Sequence, residues 1–321
     1  MAQTSDAPLV VVALGGNAMQ DPHGDDSVES DFARTARTAD VLAAIAVAGW
    51  RLVVTHGNGP QVGNHLYRSE LAYEDGGVPL LPLDVCVADT EGGMGYMLQQ
   101  CLANAFTAAN IPAVVVSLVT QVLVAHDDPA FDSPSKPVGE IIEEDRVLEL
   151  RSRGWALVED RRRGGWRRVV ASPDPKEIVE AAAIEALVGD GVMVIAAGGG
   201  GVPVVQTGDG GLKGIAAVVD KDLASALLAI DLRADALLIL TDIDSVRLRF
   251  GTPDERPLAE VSVENAREFL AAGEFAAGSM GPKVEAACRF AEATDGPGTI
   301  AAIDDALDAL QGRKGTRITR T

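Results

Sequence analysis

Short apolar runs that end in glycine alternate along this chain with longer stretches in which apolar residues recur every three or four positions. The runs at 10–14, 51–55, 113–116, 192–197 and 236–240 are rich in Val, Ile, Leu and Ala, which predicts strands buried on both faces. The stretches at 31–48, 92–109, 175–187, 221–230 and 282–292 carry helical periodicity, the last with Pro282 suited to a first turn. Strands that alternate with helices in this way form a mostly parallel sheet covered on both sides, so the fold class is α/β. In such sheets ligands bind beyond the carboxyl ends of the strands. The clusters Gly15-Gly16-Asn17, Gly57-Asn58-Gly59 and Gly198 to Gly201 fall at those ends.

One segment breaks the rhythm. From about 123 to 170 the chain carries Asp127-Asp128-Pro129, Ser133-Pro134-Ser135-Lys136-Pro137, an acidic run and the cluster Arg161 to Arg168. It reads as an insertion that projects from the sheet and includes a hairpin. The arginines read as a solvated face balanced by Glu143-Glu144-Asp145.

Length and composition sharpen this picture. The 321 residues suffice for one large domain or two lobes, and a core is available from aliphatic residues because aromatics make up only 4%. The net charge of −20 repels phosphodiester backbones and argues against nucleic-acid partners. It also suits a surface that stays hydrated at high salt. Cys86, Cys101 and Cys288 form no disulfide framework, and His23, His56, His65 and His126 have no metal-ligand spacing. The apolar start lacks a basic leader and no stretch matches a membrane helix, so a cytoplasmic protein is expected.

Lysine is scarce. There are only six, against 21 arginines. Lys136, Lys213, Lys221 and Lys283 sit in motif-like surroundings, as expected where a compact positive charge meets phosphate. Glycine loops after strands add backbone N–H groups, a second way to hold an anion. No GxxxxGK[ST] loop is present. The GxGxxxG spacing from Gly57 to Gly63 has Pro60 in the turn and no acidic ribose partner, which argues against a dinucleotide site.

These blocks, with Arg167 to Pro173, Val219-Asp220-Lys221-Asp222, Leu240-Thr241-Asp242 and Gly278-Ser279-Met280-Gly281-Pro282-Lys283, resemble the carbamate kinases of the amino acid kinase family. The resemblance runs in order through nearly the whole chain. It implies an open αβα sandwich of two lobes, 1–188 for the acceptor and 189–321 for the nucleotide, with the 123–170 segment as a small protruding subdomain. It implies reversible phosphoryl transfer between ATP and carbamate, favouring ATP formation from ADP and carbamoyl phosphate. Mg²⁺ would enter with the nucleotide rather than in a protein-built metal site, and the protein would be a homodimer in the cytoplasm.

By the same resemblance, Gly15, Gly16 and Asn17 meet the transferring phosphate, and Gly57, Asn58 and Gly59 hold the carbamate. Lys221 and Lys283 meet the nucleotide phosphates, Asp222 orients a lysine, and Lys136 swings in from the subdomain. Gly199, Gly200, Lys213, Asp242 and Met280 border the nucleotide. Two residues depart from the family pattern. Glu91 stands where glutamine is usual, either as a helix-start acid or as a carboxylate facing the acceptor. Arg247 replaces an aromatic near the nucleotide edge. They keep open two alternatives, a relative with an altered acceptor and a non-catalytic sensor.

Overall fold

A computed structural model describes residues 7–20, 27–160, 164–276 and 278–321. His23 and Arg161 to Arg163 lie outside the described residues, as does the side chain of Asn17. The central sheet has eight strands: β1 (Leu9–Leu14), β2 (Arg51–His56), β3 (Val115–Ser117), β4 (Met193–Ile195), β5 (Ala236–Thr241), β6 (Glu260–Ser262), β7 (Gly298–Ala302) and β8 (Thr316–Thr319). Their spatial order is β6-β8-β7-β5-β1-β2-β4-β3. All neighbouring pairs are parallel except β7 with β8. β4 sits between β2 and β3, so residues just past the expected 188/189 division share the sheet with N-terminal strands.

The alternation of side chains along a strand explains the three layers. Val11, Ala13, Leu237 and Ile239 point into one apolar cluster, which includes Leu228, Phe290 and Ile184. Val10, Val12, Leu14, Leu238 and Leu240 point into the other, with Leu42, Ile45, Leu98 and Leu102. Helices Lys221–Asp231 and Met280–Ala293 therefore cover one face, and Val28–Val47 and Leu83–Ala108 the other. Each fully buried aliphatic side chain contributes about 1.5–3 kcal/mol. Among the described residues, no helix is long and apolar enough to cross a membrane.

Two expectations need correction, and one helix is added. The stretch 175–187 is not one helix: Pro175–Ile178 is a strand paired antiparallel with Gln121–Val124, and the helix runs Ala181–Gly189. Proline starts that strand at no cost to the ladder, and Glu180 accepts from the Gln121 N–H at 2.7 Å where the chain turns. The helix expected at 92–109 begins earlier, at Leu83 behind Pro82, and carries Gly92 and Gly93 inside it. Its interior glycines hid its first turns from the periodicity. A further helix, Gly59–Glu74, follows the Gly57-Asn58-Gly59 loop with Pro60 in its first turn.

The irregular segment contains a three-stranded antiparallel sheet of Lys136–Ile142, Gly165–Val170 and Leu157–Asp160. It packs on the Gly59–Glu74 helix where Gly63 meets Gly139. A Cβ added to Gly63 would lie 2.1 Å from the Gly139 nitrogen. Only glycine allows the two backbones to come that close.

Candidate active site

Three adjacent central strands end at one place. β5, β1 and β2 deliver Asp242, Gly15 and Gly57, and the Gly15 and Gly57 N–H groups bond back to Leu240 O at 3.0 Å and Leu14 O at 3.2 Å. These residues open onto a cleft of about 620 Å³. Three helices also begin there: Gly59–Glu74, Lys221–Asp231 and Met280–Ala293 contribute Pro60, Lys221 and Lys283 to its walls. Helix N-termini carry partial positive charge, so the cleft suits an anion even on a chain of net charge −20.

The lysines are organised around Asp222, which is 3% exposed. Lys283 donates to its Oδ2 at 2.9 Å, and Lys221 donates to its Oδ1. Burial works against the charged carboxylate, yet attraction to Lys221 and Lys283 outweighs it and holds Asp222 well below the usual carboxylate range. Burial lowers Lys221. Lys283 is raised because Asp222, and then Asp220 and Asp242, overcome its burial. The result is two ammonium groups locked side by side, each with donors left for a ligand.

Asp220 caps the Lys221–Asp231 helix, its Oδ1 accepting from the Asp222 N–H at 2.9 Å and the Leu223 N–H at 3.4 Å. Its Oδ2 accepts from Lys136 at 2.5 Å. Lys136 begins the first strand of the protruding sheet, so that unit reaches into the cleft.

Of the residues singled out in the sequence, Gly15, Gly16, Gly57, Asn58, Gly59, Lys136, Gly199, Lys221, Asp222, Asp242 and Lys283 line this cleft. Gly200, Lys213 and Met280 do not. Gly200 is buried against the Val219 carbonyl, Lys213 is exposed on the Leu212–Gly214 strand, and Met280 packs half-buried against the core. Gly199 has φ +67°, and a Cβ there would strike the Asn58 side chain at 2.1 Å, so two glycine loops interlock.

Asp160, Arg167, Asp220 and Ser279 also line the cleft, and sequence reasoning gave them no role. Asp220 was legible as the residue before Lys221, in the N-cap position. Arg167 lay hidden in the arginine cluster, which is not a uniformly solvated face. Arg167 is buried, and Arg168 pairs with Glu70 at 2.9 Å while its guanidinium lies 4.0 Å from the Trp155 ring centroid.

Neither departure from the family pattern lines the cleft. Arg247 pairs with Asp244 at 3.1 Å and Glu255 at 2.9 Å. Glu91 is inside a helix, not at its start, and is buried beneath the cleft. The motive for an altered acceptor therefore falls away.

Among the described residues, no three His, Cys, Asp or Glu side chains converge to hold a metal. A hard divalent cation is usually held by one or two carboxylates plus substrate phosphates. The Asp242 carboxylate beside the lysines fits that arrangement.

A profile of the amino acid kinase family matches residues 8–302. The chain is 46% identical to a carbamate kinase from Pyrococcus furiosus over 310 residues, which is 96% of this chain and 98% of that protein. Its fold superimposes on carbamate kinase from Giardia lamblia bound to citric acid with a TM-score of 0.92 at 41% identity, covering 98% of this chain and 99% of that one. The Giardia lamblia enzyme bound to AMP-PNP gives 0.89 at 42%, with coverage of 98% and 99%.

Proposed function

The chain belongs to the amino acid kinase family, and from that premise we propose that it is a carbamate kinase, a phosphotransferase that makes ATP and carbamate from ADP and carbamoyl phosphate and runs the reverse. The observation that carries this reading is the pair Lys221 and Lys283, both bonded to Asp222 at the mouth of three helix N-termini. The near full-length identity to carbamate kinases supports the choice of substrate.

The ADP oxygen that attacks is already ionised and carbamate leaves as an anion, so no general base is needed. The work is alignment of two anions and neutralisation of charge spreading over the moving phosphoryl group. Lys221 and Lys283 supply that charge, and Asp222 fixes where they point. The Gly15-Gly16-Asn17 turn holds the phosphoryl oxygens, and Gly57, Asn58 and Gly59 hold the carbamoyl end. Lys136, released from Asp220, joins from the protruding subdomain. Gly199, Gly200, Lys213, Asp242 and Met280 lie toward the nucleotide, with the acceptor lobe in 1–188 and the nucleotide lobe in 189–321. Asp242 would hold Mg²⁺ entering with the nucleotide, and the ion would supply further charge neutralisation. The reading extends to a cytoplasmic homodimer in arginine metabolism.

The test is ATP formation from ADP, Mg²⁺ and carbamoyl phosphate, at low and at molar salt, with acetyl phosphate as the competing donor. Rapid ATP formation that prefers carbamoyl phosphate is expected. A folded protein that binds ADP yet forms no ATP at either salt would overturn the reading.

A further inference from the structure

Glu91 is 1% exposed in the interior of the Leu83–Ala108 helix. Its Oε1 accepts from the Gly198 N–H at 2.9 Å and the Thr120 N–H at 3.2 Å. Its Oε2 is sealed from solvent without a hydrogen-bond partner, and so is His56 Nε2. Buried polar atoms are nearly always satisfied, so two orphans in one place call for an explanation.

They are in one place. A Cβ on Gly198 would lie 2.5 Å from His56 Nε2 and 2.9 Å from Glu91 Cγ. Their chemistry is complementary as well. His56 Nδ1 faces the Gly57 carbonyl at 3.2 Å. A carbonyl only accepts, so Nδ1 carries the ring proton and Nε2 is a bare acceptor. A carboxyl proton on Glu91 Oε2 is the matching donor.

We propose that Glu91 is a positioning residue that works in its neutral, protonated form. Oε1 ties the Gly198 turn to the Thr120 turn, and the proton lets Oε2 stay sealed on the side of Gly198 and His56, the residue before Gly57, without a counter-charge. One buried carboxyl thus fixes how the Gly57-Asn58 loop and the Gly198-Gly199 loop interlock at the cleft.

Protonation states agree with this geometry. Burial pushes Glu91 up to about 8, against the pull of the Thr120 and Gly198 bonds, and Glu180 pushes the same way. Burial pushes His56 down to about 4, with Lys221 adding to it. The charged groups around the pair are therefore Glu180, on the side of Glu91, and Lys221, on the side of His56. Glu180 is itself held by the Gln121 amide at 2.9 Å. Once the proton leaves, a carboxylate with one unpartnered oxygen remains in the interior, and the two loops lose their fixed spacing.

The kinetic arm of the test rests on the proposed function, while two other arms do not. In the wild-type protein, infrared spectroscopy should show a protonated carboxyl band at neutral pH that disappears with a midpoint near 8. Glu91→Gln, which keeps the shape and cannot ionise, should lack the band. Denaturant unfolding should show the wild type losing stability relative to Glu91→Gln as pH rises from about 4.3, the unfolded value, to about 8, and levelling off above that. In ATP formation, wild-type kcat should fall roughly tenfold per pH unit above the midpoint, while the variant stays flat. A wild type without a titrating carboxyl band, or a variant that keeps the alkaline fall, overturns the inference. If neither protein forms ATP, the proposed function fails, and the infrared and unfolding arms still decide the role of Glu91.

Discussion

Lys136 donates to Asp220 at 2.5 Å across 84 positions of sequence, joining the edge of the protruding sheet to the cap of the helix that carries Lys221 and Asp222. The lysine side chain is 25% exposed and the aspartate 11%. A partly exposed pair of this kind adds little to stability, about 0–1 kcal/mol. On the proposed function, its value lies in holding the Lys136 charge at the cleft.

Lys136→Ala should therefore separate catalysis from folding. Turnover should fall by about 10²-fold or more, as expected for losing a charge donor to the transition state. The denaturant midpoint should barely move. Steady-state ATP formation beside urea unfolding checks both halves, and near-normal turnover would refute the role.

Asp222 should behave differently. Asp222→Ala leaves two buried ammonium groups without their shared counter-ion, which costs about 3–5 kcal/mol. Lys283→Ala removes a cation and leaves the Lys221–Asp222 pair intact, so it should damage turnover far more than stability. The folded-state pKa of Asp222 is depressed, so its contribution is complete above about pH 4 and lost as pH falls through the strongly acidic range. Acid unfolding of the wild type against Asp222→Asn is the measurement; the variant should lack that loss.

The net charge of −20 bears on stability through self-repulsion, which salt screens within a Debye length of about 10 Å at 0.1 M. The thermal midpoint should rise steadily as sodium chloride is raised from low to molar concentration. A midpoint that does not change would show that the acidic surface is not under appreciable electrostatic strain.

Much of this was written in the order of residues. The strands and the glycines that end them were legible because fully buried parallel strands make unbroken apolar runs, as in Leu9–Leu14. The lysines stood out by scarcity. The Leu83–Ala108 helix was half hidden, because Gly92 and Gly93 mask its periodicity. The Pro175–Ile178 strand was illegible, since it is half polar and exists only by pairing with Gln121–Val124. Arg167 and Asp160 could not be assigned to the cleft because the fold of the protruding sheet alone brings them there. Glu91 was noticed for its charge, but its burial became apparent only when Gly198 and Thr120 were seen around it.

The bare crossing of Gly63 and Gly139 acts as a fulcrum. Lys136 lies three residues along the same strand from Gly139, so a wedge placed at the crossing is levered directly into the gap between that lysine and Asp220. The width of the cleft is in this sense gauged by one missing methyl group, at Gly63, outside it. A graded series of side chains at position 63 would work like shims, each thickness reporting how far open the jaw can stand before the lysine no longer reaches.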